Sequence, residues 1–199
     1  VCTCTDCGKE VGLTDTTCPH CGGDLAETEV ETAGPLFLHI SGWRLVILSI
    51  LSGGIYEVYW IYKNWQYVKE RDGIKIHPFW RGIFGIFFCH GLLRRIHADR
   101  EANPVLPPAF SPGGLATGWV ALMCLARILG YLPFGLATVL AAGLMPSYLC
   151  LLPVQNYINA VSRKRRPSDG YYGWSAGHFI CITVGLFFWA LAFAALGLE

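Results

Sequence analysis

Apolar residues fall into long runs divided by basic or turn-forming stretches. The first run, residues 43–62, is about 20 residues, enough to cross a bilayer core of about 30 Å. Ser52-Gly53-Gly54 breaks it and Glu57 interrupts it. Its second half is aromatic, with Tyr56, Tyr59, Trp60 and Tyr62, then Trp65 and Tyr67 beyond. Such rings favour the headgroup region. The second run has twelve uncharged residues between Arg81 and Arg94. That is about 18 Å of helix, too short to cross easily. The third, residues 114–132, is long enough, and Arg127 sits close enough to its end to snorkel. Residues 128–162 carry no charge. At helical rise they measure about 52 Å, more than one crossing, so a turn at Leu132-Pro133 and a fourth run to about Pro153 share them. The last run, residues 171–198, is the cleanest span. The pattern predicts an all-α integral membrane bundle of about three to five apolar helices, some re-entrant or interfacial.

Composition agrees. Hydrophobic residues make up 53% and charged residues 15%, against about 25% charge in an ordinary soluble domain. Mean hydropathy is +0.42. The net charge of +1 hides a split. Residues 1–31 hold one base and seven acids, and the rest holds fourteen bases and seven acids. We therefore divide the chain into a head (1–26), a linker (27–40) carrying Gly34-Pro35, and a helical membrane domain (41–199).

Five of the nine cysteines lie in the first 21 residues. Cys4-Thr5-Asp6-Cys7-Gly8 and Cys18-Pro19-His20-Cys21-Gly22 are separated by ten residues counted from Cys7 to Cys18. Each Cys-x-x-Cys turn aims two thiolates at one point, and the glycine behind it lets the backbone turn back. Cys4, Cys7, Cys18 and Cys21 thus form a soft tetrahedral ligand set suited to one structural Zn²⁺. Cys2 lacks the two-residue spacing. Iron is a weaker alternative, since Gly8-Lys9-Glu10-Val11 has none of the aromatics usual behind rubredoxin-like knuckles. Cys-Pro-His-Cys also looks like a redox motif, but that chemistry needs a βαβ scaffold the head is too short to supply. The head resembles a zinc ribbon, a small β-hairpin module whose hairpin would be the ten-residue spacer. About 25 residues cannot bury a core, so metal would supply most of the folding energy. One lysine among seven acids makes nucleic acid an unsuitable partner; membrane lipids, a protein partner or a second copy of the chain fit better.

No early stretch has the form of a signal peptide, so the head is expected in the cytoplasm, where thiols stay reduced. With five full crossings, Lys63, Lys69, Arg71, Lys75 and Arg81 would face outside. If the first two runs dip without crossing, fourteen of the fifteen bases face the cytoplasm, as the positive-inside rule asks. The expectation is this second arrangement, in a bacterial inner membrane, with the C-terminus outside.

The stretch Gly54-Ile55-Tyr56-Glu57-Val58-Tyr59-Trp60-Ile61-Tyr62-Lys63-Asn64-Trp65 resembles a bacterial family of multi-span membrane proteins known as a domain of unknown function. His77-Pro78-Phe79-Trp80-Arg81 and Pro153-Val154-Gln155-Asn156-Tyr157-Ile158-Asn159 fit the same group. The resemblance covers residues 36–197 and implies kinship without an activity.

Polar residues in apolar sequence mark candidate sites. Glu57 and Asn64 share a helix face, read as the wet side of an interfacial helix or, alternatively, as a pocket lining. His90, Arg94, His97 and Glu101 form a stripe, read as a solvated or headgroup-facing face. Gln155, Asn156, Asn159 and Arg163 follow the fourth run and are read as interhelical glue or a headgroup site. His178 is read as a satisfied core histidine or a partner of Glu57. No phosphate loop, nucleophile elbow, paired carboxylates or other catalytic set is visible. The expected function is a binding or scaffold module. The alternatives are a small-molecule or lipid transporter or channel, and a membrane-anchored rubredoxin-like electron-transfer protein.

Overall fold

The structure, a computed structural model, describes residues 2–3, 7–11, 17–23, 34–129 and 146–196. It divides into two units, Val1–Pro35 and Leu36–Glu199. In the first, β1 (Cys2–Thr3) pairs antiparallel with β2 (Glu10–Val11), Cys2 opposite Val11 and Thr3 opposite Glu10. This pairing brackets the first knuckle. Half of the ten-residue spacer expected to form the hairpin, residues 12–16, lies outside the described residues.

The second unit is an all-α bundle. Among the described residues its helices are α1 (Gly42–Leu51), α2 (Ile55–Asp72), α3 (Pro78–Ile83), α4 (Gly85–His97), α5 (Pro112–Leu129), α6 (Tyr148–Arg165) and α7 (Ala176–Leu196). The expected linker ends sooner than residue 40. Residues 36–41 precede the first helix and are buried, reaching it through Ser41 in extended backbone, with Leu38 and Ile40 at 0% exposure. They are apolar enough to belong to the core, and the body begins with them.

The first apolar run folds back on itself. Gly53 and Gly54 both adopt left-handed backbone, φ +56° and +87°, a conformation side chains other than glycine rarely take. The turn leaves no amide stranded. Ser52 N–H donates to the Leu48 carbonyl, Gly53 N–H to Ile50, Gly54 N–H to Ser49 and Ile55 N–H to Ser52. Tyr56 N–H donates to Ser52 Oγ at 2.8 Å. At the other end Leu38 N–H meets Asn64 Oδ1 at 3.1 Å and Arg71 lies over the Phe37 ring. So α1 and the first half of α2 run antiparallel, and ten residues of helix put the tip about 15 Å from that end.

Two helices cover the tip. A Cβ on Gly185 of α7 would stand 2.3 Å from Ser52 Cα and 2.6 Å from the Leu51 carbonyl oxygen. Met123 of α5 reaches Gly54. Both helices continue beyond. The eleven residues of α7 after Gly185 add about 16 Å, and Leu186, Phe187 and Leu191 there are exposed. The second apolar run folds back too. A Cβ on Gly82 in α3 would meet Tyr62 Cβ at 2.8 Å, Gly91 in α4 faces Trp65, and Arg95 bonds Asp72 at 2.6 Å. α3 therefore rises along α2 and α4 descends beside it. The α4 residues Gly85, Cys89, Leu92, Leu93 and Ile96 face inward at the helical repeat, while Ile86 and Phe87 face out.

Among the described residues, one helix, α5, is long and apolar enough to cross a membrane; α1 and residues Ala176–Leu191 are apolar but shorter. The cover over the tip generates a prediction. Gly185→Val must push the α1–α2 turn away and should destabilise the chain by at least about 1–3 kcal/mol. Gly113→Ala, with nothing within 4 Å of its Cβ position, should be neutral or slightly stabilising. Thermal melts of the two full-length variants in detergent make the comparison; equal melting temperatures would contradict this packing.

Candidate functional site

In the head, the Sγ atoms of Cys7, Cys18 and Cys21 lie within 4.8 Å of one another, and Cys7 and Cys18 are 3.7 Å apart. A tetrahedron with Zn–S bonds of about 2.3 Å has edges of about 3.8 Å. Three corners of such a site are therefore in place. The fourth expected ligand, Cys4, lies outside the described residues. The backbone explains the convergence. Gly8 and Gly22 have φ of +68° and +73° with open space at their Cβ positions, so conformation rather than room selects glycine. Gly22 N–H donates to the Cys18 carbonyl and Cys18 N–H to Gly23, both at 2.8 Å. Desolvation pushes the Cys18 thiol up. The amides of His20 and Cys21 and the thiols of Cys21 and Cys7 outweigh it and bring Cys18 from 9.0 to about 6. A thiolate at neutral pH is the form a metal binds.

In the body, the polar residues expected from sequence form separate clusters. Asn64 and Gln155 meet at the segment before α1. Asn64 Oδ1 accepts from Leu38 N–H, and its Nδ2 donates to the Trp60 carbonyl at 2.9 Å. The two N–H groups of Gln155 Nε2 are shared among the Leu38 and Ile40 carbonyls and Asn159 Oδ1, at 3.0, 3.1 and 2.8 Å. Its Oε1 accepts from Trp60 Nε1 at 2.6 Å. Tyr172 N–H completes the set on the His39 carbonyl at 2.6 Å. Two side-chain amides thus do for residues 38–40 what a neighbouring strand does in a sheet.

Glu57 is 1% exposed. It accepts from Trp119 Nε1 in α5 and from Ser147 Oγ, the latter at 2.8 Å. The wet helix face expected for Glu57 and Asn64 is instead interior, because α5, α6 and residues 36–41 cover it. His178 is 0% exposed and pairs with α2 through tyrosine, not with Glu57. Ser175 N–H and Oγ reach its Nδ1 at 3.2 and 2.8 Å. An amide N–H only donates, so Nδ1 accepts and Nε2 carries the proton toward Tyr56 Oη at 3.2 Å. Tyr59 Oη extends the chain to Ser175 Oγ at 3.0 Å.

His90 stands apart, half-buried, with Nε2 at 3.1 Å from Thr117 Oγ1. Asn156 is exposed beside Gly42. At the charged end, Arg71 pairs with Asp72 and Asp99, both at 2.7 Å, and Arg95 with Asp72. The Arg71 hydrogen bond, aided by that of Arg95, holds the Asp72 carboxyl below its ordinary range against partial desolvation. A cleft of about 400 Å³ lies among these residues. Its bases are largely neutralised by its own acids.

Sequence reading missed Trp119 and Ser147 as partners of Glu57, and the buried segment at 36–41. Leu36-Phe37-Leu38, followed after His39 by Ile40, is an apolar stretch that could have flagged the segment. Trp119 sits in an apolar run and carries no comparable sign. Comparison of the chain with protein-family models, curated proteins and solved structures gave no match.

Two outcomes are expected. Zinc content by elemental analysis should fall sharply in Cys7→Ser and Cys21→Ser and stay near wild type in Cys2→Ser; dependence on Cys2 equal to that on Cys7 would overturn the ligand set. Gln155→Leu should leave the Trp60 indole and two buried carbonyls unpaired, at about 1–3 kcal/mol each. A melting temperature unchanged from wild type would remove Gln155 from its bridging role.

Proposed function

We propose that this chain is an integral membrane protein of the bacterial inner membrane that carries a structural zinc ribbon and acts as a binding or scaffold module. The carrying observation is the inversion of the body. Phe79, Trp80, Phe87, Ile128, Phe179 and Phe187 are exposed, whereas Glu57, Asn64, Gln155, Asn159 and His178 are buried. Only 11% of α5 is buried, unlike the core helix of a soluble protein. An apolar exterior around a polar interior suits lipid as the solvent.

The folded-back hairpins support the dipping topology. Arg44 Nη1 bonds the Tyr172 carbonyl at 2.6 Å, and Lys63 Nζ lies 5.6 Å from the Tyr172 ring. Residues 44, 63 and 172 therefore belong to one end of the bundle, and two short hairpins return the chain to the side it came from. With a tip at about 15 Å, the first hairpin reaches the middle of a core of about 30 Å. The bases of residues 63–81 then stay with the zinc ribbon in the cytoplasm. The kinship with a bacterial multi-span family belongs to this proposal, as does Cys4 as the fourth zinc ligand.

A scaffold is favoured over a transporter because the buried polar side chains named above are occupied by protein partners, side chain or backbone. Hydrogen bonds already made to protein are not available to a passing solute.

The test is accessibility in intact cells. A cysteine in place of Lys69 should resist an impermeant thiol reagent added outside, and one in place of Leu196 should react, each judged against the unsubstituted chain. Rapid outside labelling at 69 would restore five full crossings. Release of the chain from membranes by alkaline carbonate would defeat the membrane reading itself.

A further inference from the structure

We propose that Arg44 and Lys63, framed by Tyr172 and Trp174, form a binding site for the phosphate headgroup of an anionic phospholipid. The inference rests on the membrane reading above and adds a ligand to it.

The two cations are held but not neutralised. Arg44 stands in the first turn of α1, its Nη1 on the Tyr172 carbonyl at 2.6 Å and its guanidinium 5.0 Å from the Trp174 ring centre. Its Nε has no acceptor. Lys63 Nζ is 5.6 Å from the ring of the same Tyr172 and donates to Gln66 Oε1 at 3.0 Å, a neutral acceptor. Among the described residues the ion pairs to carboxylates are made by Arg71, Arg95, Arg165 and Arg166. Neither Arg44 nor Lys63 takes part. One tyrosine thus fixes both charges, one by its backbone carbonyl and the other by its ring face.

Their surroundings specify what neutralises them. Trp43, Tyr171 and Trp174 are 63%, 45% and 54% exposed, and they stand where α1 and α7 both begin. That is the end of the bundle opposite the hairpin tip. Exposed Trp and Tyr rings at a helix start mark headgroup depth. Two cations at that depth, one half-enclosed by rings, carry a desolvation cost that a phosphate offsets. A guanidinium offers paired N–H groups that match phosphate oxygens, and the ammonium supplies a point charge beside it. A zwitterionic headgroup brings its own cation and competes poorly there.

Native mass spectrometry of the full chain in detergent, titrated with phosphatidylglycerol or phosphatidylcholine, tests the site. Wild type should retain phosphatidylglycerol over phosphatidylcholine by about tenfold, the worth of one charge-assisted contact. R44Q and K63Q should each bring the ratio close to one, and K63R should keep it. R127Q, far along α5, should leave it unchanged. If R44Q does not fold, K63Q alone decides, because it leaves the Arg44–Tyr172 contact in place. Equal retention of the two lipids by wild type, or a ratio unmoved by K63Q, overturns the site. Displacement of phosphatidylglycerol by millimolar inorganic phosphate would make it a soluble-anion site and overturn the lipid assignment. Each of these results is separate from release by carbonate, which would remove the membrane reading instead.

Discussion

Where water is excluded, a backbone that leaves the helix must find its hydrogen bonds inside the protein. Among the described residues the body does so at 38–40 and at 52–54, and these two places organise the helices around them. At residues 38–40 the chain is not helical, so its carbonyls and amides need partners from elsewhere. Asn64, Gln155 and the Tyr172 amide meet them. At residues 52–54 the chain turns, and Ser52 with the last carbonyls of α1 closes the ladder. The first requirement ties α2, α6 and the approach to α7 to one segment. The second closes on itself, and α5 and α7 pack over the turn.

Close approach makes that cover possible. Gly82, Gly177 and Gly185 each sit where a Cβ would fall within 3 Å of a neighbour. Small residues at contacts let helices approach closely. The polar clusters then act as cross-links: Glu57 joins α2 to α5 and Ser147, and His178 joins α7 to α2 through Tyr56. Each is interior because its partners come from other helices.

The head follows a different rule. It has too few residues for a core, and its order comes from two left-handed glycines and three thiols drawn together. Metal would supply there what side-chain burial supplies in the body. The two units are stabilised by different physics, which fits their opposite compositions.

The sequence by itself determined the helical, apolar character of the body, the break at Gly53-Gly54, the shortness of the second run and the paired knuckles. These rest on local rules: hydrophobic run length, glycine's access to positive φ, and the spacing of Cys-x-x-Cys. It also marked Glu57, Asn64, Asn159 and His178, since polar residues in apolar runs stand out. What each of them touches was decided by tertiary structure alone. Glu57 to Trp119 spans 62 positions, and Asn64 to Leu38 spans 26. No local pattern encodes such pairings. The face of α2 read as wet became interior because α5, α6 and residues 36–41 fold over it. The short stretch at 36–40 has no periodicity of its own, and its backbone is paired by the side chains of Asn64 and Gln155 and by the Tyr172 amide.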